Sequence, residues 1–370
     1  MKKEKIVLGM SGGVDSSVAA LLLQRDGYDV EGVFMKNWDD KHAICSAEDD
    51  YADALSVSKK LNIPLHKIDY TKSYKNKVFK QFLDDHLEGF TPNPDVLCNK
   101  EIKFEVFQKY AKKLNAKKIA TGHYAKKTII NSINYLEKAT DQSKDQSYFL
   151  YQLGQKELKH AIFPLGEIQK KEVRKIAKKN GLINHNKKDS TGICFIGERK
   201  YNDFVGQYIN AKKGKIISID GDELGTHNGH IYFTIGQRKG LGIGARLSAA
   251  DKPWYVVKKD IKKNIVFVAQ GGNHPALFSK KIIVNNVNWI SQKPTHFPKQ
   301  LYAKVRYRDN DKACSVFCLN QNSYLVKFKL KQKAITPGQS IVFYDKNNIC
   351  VGGGIISKRD IPFLNKTLDE

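Results

Sequence analysis

Apolar residues gather in short runs with polar spacers, and the spacing of those runs changes along the chain. Residues 6–9 form a short apolar run of the kind that makes a buried strand. Residues 16–26 place Val18, Leu21, Leu22 and Leu23 on one side of a helix. A second strand is predicted over 30–35, and a helix over 49–61 with Ala52, Leu55 and Leu61 on one face. Residues 65–69 read as a third strand, 102–114 as a helix and 118–121 as a fourth strand. Strands separated by helices imply an α/β unit with a doubly wound parallel sheet. Helical periodicity persists through 170–180. After about Tyr208 the texture changes to short alternating runs (282–287, 301–307, 324–328, 340–344) broken by Asp220-Gly221, Asn228-Gly229, Gly271-Gly272 and Pro337-Gly338. That pattern predicts an all-β region, most simply a small central domain and a C-terminal β-barrel. The expected division is 1–208, 209–274 and 275–370.

Composition adds a partner to this picture. The chain has 370 residues and a net charge of +25, from 63 Lys+Arg against 38 Asp+Glu. Such a surface favours a polyanion, nucleic acid before an anionic membrane. Only eight of the basic residues are arginine, so lysine drift in composition would produce much of the same excess. No run approaches the roughly 18 apolar residues needed to span a bilayer. The first residues enter a strand without signal-peptide character, so a cytoplasmic location with no membrane partner is expected. Six cysteines (Cys45, Cys98, Cys194, Cys314, Cys318 and Cys350) are too sparse for a disulfide scaffold and include no Cys-x-x-Cys pair, so no metal site is expected. Cys314 and Cys318 lie four apart in a strand-like run and are expected to share a face as apolar filler.

The sharpest local signal is Gly9-Met-Ser-Gly-Gly-Val-Asp-Ser-Ser17, between the first strand and the first helix. Glycines there admit an anion close to the backbone, and the helix start supplies N–H groups and a positive dipole end. The Gly-Lys-Ser/Thr ending of a Walker A loop is absent. The segment resembles the PP-loop signature Ser-Gly-Gly-x-Asp-Ser of enzymes that split ATP into AMP and pyrophosphate. A plain helix cap, with Asp15 and Ser16 as cap residues, is the structural alternative.

Two cysteine segments narrow the class. In Thr91-Pro-Asn-Pro-Asp-Val-Leu-Cys-Asn-Lys-Glu-Ile-Lys-Phe104, Cys98 stands near a helix start with Lys100 and Lys103 close by, a setting expected to favour thiolate. In Asp189-Ser-Thr-Gly-Ile-Cys-Phe-Ile-Gly197, Cys194 lies between apolar residues. With Gly122-His-Tyr-Ala125, Lys144-Asp-Gln-Ser-Tyr-Phe-Leu150, Gly236-Gln-Arg-Lys-Gly-Leu-Gly-Ile-Gly244 and Val305-Arg-Tyr-Arg308, the whole set resembles the tRNA-uridine 2-sulfurtransferases, or tRNA 2-thiouridylases, of the PP-loop superfamily.

That resemblance spans nearly the whole chain and carries roles with it. It implies a PP-loop/HUP-type catalytic domain in which Gly9, Met10, Ser11, Gly12, Gly13, Val14, Asp15 and Ser16 hold ATP, with Met35 and Gly122 at the adenosine. Asn93, Pro94 and Asp95 would meet the target base, with Asp95 as general base or as an orienting group. Cys98 would be the nucleophile and Cys194 the persulfide carrier, the two forming a disulfide in one version of the reaction. His123, Lys144, Asp145, Gln146, Arg306, Tyr307 and Gln339 would contact tRNA. Arg306, Tyr307 and Arg308 on one β run would pair cations with an aromatic. The implied reaction is ATP-dependent 2-thiolation of the wobble uridine, with Mg2+ beside ATP and a persulfide-donor protein such as a cysteine desulfurase or relay protein as partner. Another PP-loop ligase, and a catalytically silent RNA-binding relative, remain open alternatives.

Overall fold

The computed structural model of the chain describes residues 3–39, 46–189, 196, 200–243 and 252–361. The N-terminal unit is built on five parallel strands in the order β3-β2-β1-β4-β7. These are β1 (Lys5–Gly9), β2 (Asp29–Lys36), β3 (Leu65–Asp69), β4 (Lys118–Ala120) and β7 (Ala161–Ile162). The chain winds outward from β1 in one direction through β2 and β3, then crosses back to β4. The crevice between β1 and β4 is therefore the topological switch point, where α/β sheets bind ligands. Helix α1 (Val14–Arg25) and helix α2 (Ser46–Leu61) pack on one face, where Val18, Ala19, Leu23, Ala54 and Val57 bury against Ile6, Leu8 and Val30. The four predicted strands and these two helices are found within one to three residues of their expected limits. The two-residue β7 is too short for a periodicity signal.

Two stretches, besides an unpredicted helical run over residues 71–87, differ from the sequence reading. The helix expected at 102–114 starts eight residues earlier. Pro94–Cys98 is α-helical, Asn99–Val106 continues as a π-helix and Phe107–Lys113 returns to α. Pro94 occupies the first helical position, where its missing N–H costs nothing. The second difference is a hairpin, β5 (Ala125–Ile130) and β6 (Ile133–Lys138), turned by Asn131 and Ser132 at positive φ. It leaves the N-terminal unit and joins the last sheet.

The central strands β8 (Gly214–Ser218), β9 (Glu223–His227), β10 (Trp254–Asp260) and β11 (Ile265–Gln270) form a four-stranded sheet. The final strands, β12 (Phe278–Trp289), β13 (Lys299–Lys304), β14 (Lys312–Cys318), β15 (Ser323–Lys333), β16 (Ser340–Tyr344) and β17 (Ile349–Arg359), close through a β12–β17 pairing into a six-stranded barrel. Ile282, Val284, Leu301, Val316, Val326, Phe328, Ile341 and Phe343 fill it. Strand β6 then pairs with β17, Ile349 with Glu137 and Cys350 with Leu136, so the hairpin is stitched to the barrel wall.

Cys314 lies in the barrel interior, and burial pushes its thiol up to about 12. Cys318 does not share that setting. It is exposed at the end of β14, where its Sγ donates to the Asn320 carbonyl. The expected common face ends where the strand leaves the barrel. The run of Arg306, Tyr307 and Arg308 is also not a strand. It forms the turn between β13 and β14, because β13 ends at Lys304.

Candidate active site

The segment from Met10 to Gly13 connects β1 to α1 at the switch point. Gly13 is the N-cap of α1 and no side chain caps it among the described residues, so Asp15 and Ser16 sit inside the first turn rather than capping it. A helix start left without a side-chain cap is the setting anion sites use. The loop is pre-folded by its own serines. The Ser11 N–H donates to Ser16 Oγ (3.2 Å), and Ser16 Oγ and Ser17 Oγ each donate to the Gly13 carbonyl (3.0 Å). Asn184 Nδ2 adds bonds to the Gly12 carbonyl (2.9 Å) and Ser17 Oγ (2.8 Å). Gly12 has φ +76°, and a Cβ there would stand 2.2 Å from the Asp50 carbonyl oxygen. Met10 and Val14 are buried, so they shape the loop from the core side and offer only backbone to a ligand.

Gly9, Met35 and Gly122, which the resemblance would place around ATP, lie at one end of the sheet. Met35 ends β2 beside Gly9, where a Cβ would meet Met35 Cε at 3.1 Å. Gly122 follows β4 so closely under α1 that a Cβ would come 2.9 Å from the Ser16 nitrogen. All three sit at the carboxyl ends of parallel strands.

Beside the loop lies a charge network that sequence reading did not single out. Lys170 Nζ, nearly buried, reaches both oxygens of Asp15 (2.7 and 2.8 Å) and Asp189 (2.7 Å). Lys144 and Arg174 also bind Asp189, each at 2.8 Å. Tyr124 Oη donates to Asp15 at 2.8 Å. Asp189 is half-buried, and although burial alone would raise it, Lys144 and Lys170 pull its carboxyl down to about 2. The only sequence hints were that Asp189 opens the Cys194 segment and that Lys170 starts a helical pattern.

The segment from Thr91 to Asp95 is held from three sides. The Thr91 N–H donates to the Pro337 carbonyl (3.0 Å), and Gln339 Nε2 donates to the carbonyls of Thr91 (2.7 Å) and Pro92 (3.3 Å). Thr91 Oγ1 meets Thr234 Oγ1 of the central domain at 3.4 Å. Asn93 precedes the helix that Pro94 starts, and Asn99 Nδ2 donates to the Phe149 carbonyl (3.1 Å). Burial raises the Asp95 carboxyl, with Lys103 pulling the other way.

Cys98 is not at a helix start. It is the fifth residue of the helical run, 3% exposed, in an apolar cluster with Tyr70, Phe79, Phe82, Ile196 and Phe204. Lys100, expected beside it, is exposed. The early helix start at Pro94 is the cause: it carries Cys98 a full turn past the N-terminus. Met35 packs against this cluster and also against the one holding Val33, Val96 and Phe104. The Gly9 end of the loop and the Cys98 wall therefore share a side chain. Cys45 and Cys194 lie outside the described residues.

The remaining expected RNA contacts are dispersed. His123 is buried against Phe104 and Phe163, with Nδ1 2.7 Å from Thr121 Oγ1, and burial holds it neutral. The Asp145 carboxylate is buried and accepts from the Ala139 and Ser147 N–H groups and from Ser147 Oγ. Gln146 Oε1 accepts from the Tyr124 N–H (3.0 Å). Tyr307 packs on Phe149 at 4.5 Å and donates to the Lys144 carbonyl (3.4 Å). Arg306, bonded to the Ala334 carbonyl, lines a cavity of about 420 Å³ with Thr91, Thr234, Gln237 and Gln339. That cavity draws its walls from all three domains.

A glycine-serine loop lacking the Walker lysine, set at the switch point of a parallel sheet, defines a PP-loop enzyme of the ATP-using class. Family profiles agree along the chain. Residues 4–198 match the tRNA methyl transferase HUP domain, 202–270 the tRNA methyl transferase PRC-barrel domain and 279–356 the aminomethyltransferase beta-barrel domain. The chain belongs to the tRNA-specific 2-thiouridylase family. It is 51% identical over 358 residues to the tRNA-specific 2-thiouridylase MnmA of Legionella pneumophila (strain Lens), covering 96% of this chain and 99% of that one. It is 50% identical to the protein of the same name from Salmonella typhimurium, covering 96% and 97%. Among the described residues no helix is long and apolar enough to cross a membrane.

Proposed function

We propose that this chain converts the wobble uridine of tRNA to its 2-thio form, spending one ATP per sulfur. The observation that carries the proposal is the shared wall: Met35 touches both Gly9 of the loop and the cluster around Cys98, which supports an activated base and a thiol working at one crevice. The C2 carbonyl of uridine is a poor electrophile. Attack of O2 on the α-phosphate of ATP releases pyrophosphate and leaves an O2-adenylate whose AMP is a good leaving group.

ATP phosphates would lie on the loop from Gly9 to Ser16, with charge on the departing pyrophosphate met by backbone N–H groups. Magnesium would arrive on the triphosphate and offset that charge. Both Asp15 oxygens are engaged by Lys170, and the described residues contain no group of three or more ligands for a resident ion. Asn93, Pro94 and Asp95 would orient the base, and the raised Asp95 carboxylate suits a proton acceptor.

Sulfur would come from a persulfide on Cys194, loaded by a donor protein. In one route the terminal sulfur attacks C2 and AMP leaves. Cys98 thiolate then attacks the Cys194 sulfur, breaking its bond to the transferred atom and leaving a Cys98–Cys194 disulfide. In the other, Cys98 first releases hydrosulfide, which attacks C2. Both end with C2=S, AMP and the same disulfide, which a reductant must reopen. The barrel and the Lys144–Gln146 segment would carry tRNA contacts. We take 1–208 as the catalytic domain, 209–274 as the central domain and 275–370 as the tRNA-contacting barrel, acting in the cytoplasm.

Nucleoside mass spectrometry after incubation with tRNA, ATP, Mg2+ and a persulfide donor tests the reading. Cys98→Ser and Cys194→Ser should each abolish 2-thiouridine while ATP binding survives. Full thiolation in either variant would sink the two-thiol scheme. Pyrophosphate release that does not depend on tRNA would point instead to another PP-loop ligase.

A further inference from the structure

The phosphate site contains a feature that, taken alone, opposes its use. Asp15 sits in the first turn of α1, beside the N–H groups that would receive an anion. A carboxylate there suits the helix dipole but competes electrostatically with an incoming triphosphate. Asp189 adds a second carboxylate to the same cluster. Three cations answer these two anions, and Lys170 alone touches both. It is delivered from a fixed point, the first residue of the helix Lys170–Lys179, where its own N–H donates to Asp141 (2.9 Å). Its ammonium is nearly buried and lies 5.8 Å from the Tyr124 ring centre. Arg174 is pinned as well, by the carbonyls of His185 (2.9 Å) and Lys187 (3.0 Å).

We propose that Lys170 is the standing counter-ion of the phosphate site, a positioning residue that neutralises Asp15 and Asp189 so that the triphosphate can approach α1. The idea rests on the ATP reading above. With Lys170 in place the carboxylates of Asp15, Asp141 and Asp189 are matched by Lys144, Lys170 and Arg174, and the helix terminus adds its positive end. Without it the cluster is net negative, and Asp15 keeps only the Tyr124 hydroxyl and faces the phosphates with no cation beside it. Lys144 and Arg174 reach only Asp189, so neither substitutes for it.

Equilibrium binding by calorimetry separates this role from a structural one, with ATP, inorganic pyrophosphate and adenosine as probes. Lys170→Met should raise the Kd for ATP and for pyrophosphate about 10- to 100-fold and leave adenosine within about twofold. Lys170→Arg, which keeps the charge, should retain ATP binding within about fivefold. The double variant Asp15→Asn/Lys170→Met removes the uncovered carboxylate and should recover most of the lost affinity. ATP binding within twofold of the parent in Lys170→Met would overturn the proposal. So would equal loss of ATP and adenosine, or a double variant as weak as the single one. None of these assays contains RNA or sulfur, so they stand if thiolation fails. An unmodified chain that binds no ATP would defeat the ATP reading itself.

Discussion

The barrel meets the Thr91–Asp95 segment at Pro337, Gly338 and Gln339, and the tight fit at Gly338 makes a remote test of the candidate active site. Gly338 has φ +91°, and a Cβ placed on it would stand 2.6 Å from the Thr91 nitrogen and 2.7 Å from Phe90 Cβ. Ordinary contact begins near 3.4 Å, so Gly338→Ala forces a shift of about 0.8 Å between the barrel turn and the loop. Holding alanine in the left-handed region costs about 1–2 kcal/mol. Weakening the Thr91 N–H bond to Pro337 adds about 1 kcal/mol. The strain of about 2–3 kcal/mol is relieved by moving Thr91 and Pro92, and Asn93 and Asp95 with them. If that displacement is felt fully at the transition state, kcat/KM for tRNA falls about 30- to 150-fold. The nucleotide loop touches neither residue, so ATP affinity should stay within twofold. Single-turnover thiolation, paired with ATP binding by calorimetry, reads both quantities. Thiolation within threefold of the parent would refute the argument that the barrel sets the loop, and so would a parallel loss of ATP affinity.

Three further outcomes are expected. Lys259 Nζ is buried with no hydrogen-bond partner among the described residues, and burial lowers its pKa to about 8, so its charge is a net cost at neutral pH. Stability should rise between pH 8 and the unfolded value near 10.5, and Lys259→Met should gain about 2–3 kcal/mol at pH 7 by urea denaturation; a destabilised variant would contradict this. His86 is held neutral by burial, at about 4, so stability should fall as pH drops from about 6.5 towards 4, and His86→Gln should flatten that slope in thermal melts. Repeated turnover should stop after about one sulfur per chain without a reductant, and undiminished cycling in its absence would rule out a disulfide-forming route.

The parallel sheet was legible because its first four strands and the two helices Val14–Arg25 and Ser46–Leu61 each have their own period, and the phosphate loop because glycine and serine at those spacings serve few other ends. The helix start at Pro94 was not, because two prolines, six and four residues before Cys98, look like loop punctuation. Only one of them, Pro94, is at a position a helix tolerates. The hairpin at 125–138 hid for a different reason. Its partner strand is more than 200 residues away, and no local pattern announces a pairing across domains. In the site, motif residues were readable one by one, whereas Lys170 gained its meaning only from Asp15 and Asp189 converging on it. Arg306 and Tyr307 were placed on a strand because alternation continues past Lys304, although hydrogen bonding does not.

The stitch between β6 and β17 also sets a timetable for synthesis. Leu136 leaves the ribosome about 210 residues before Cys350, the residue it pairs with. At elongation rates of roughly 5–20 residues per second, the hairpin waits about 10–40 s with an unsatisfied strand edge. During that interval the nascent N-terminal domain presents a template for any stray β-strand. Chains halted before the barrel emerges should therefore be prime customers of ribosome-associated chaperones, and the N-terminal domain is a poor module to transplant alone.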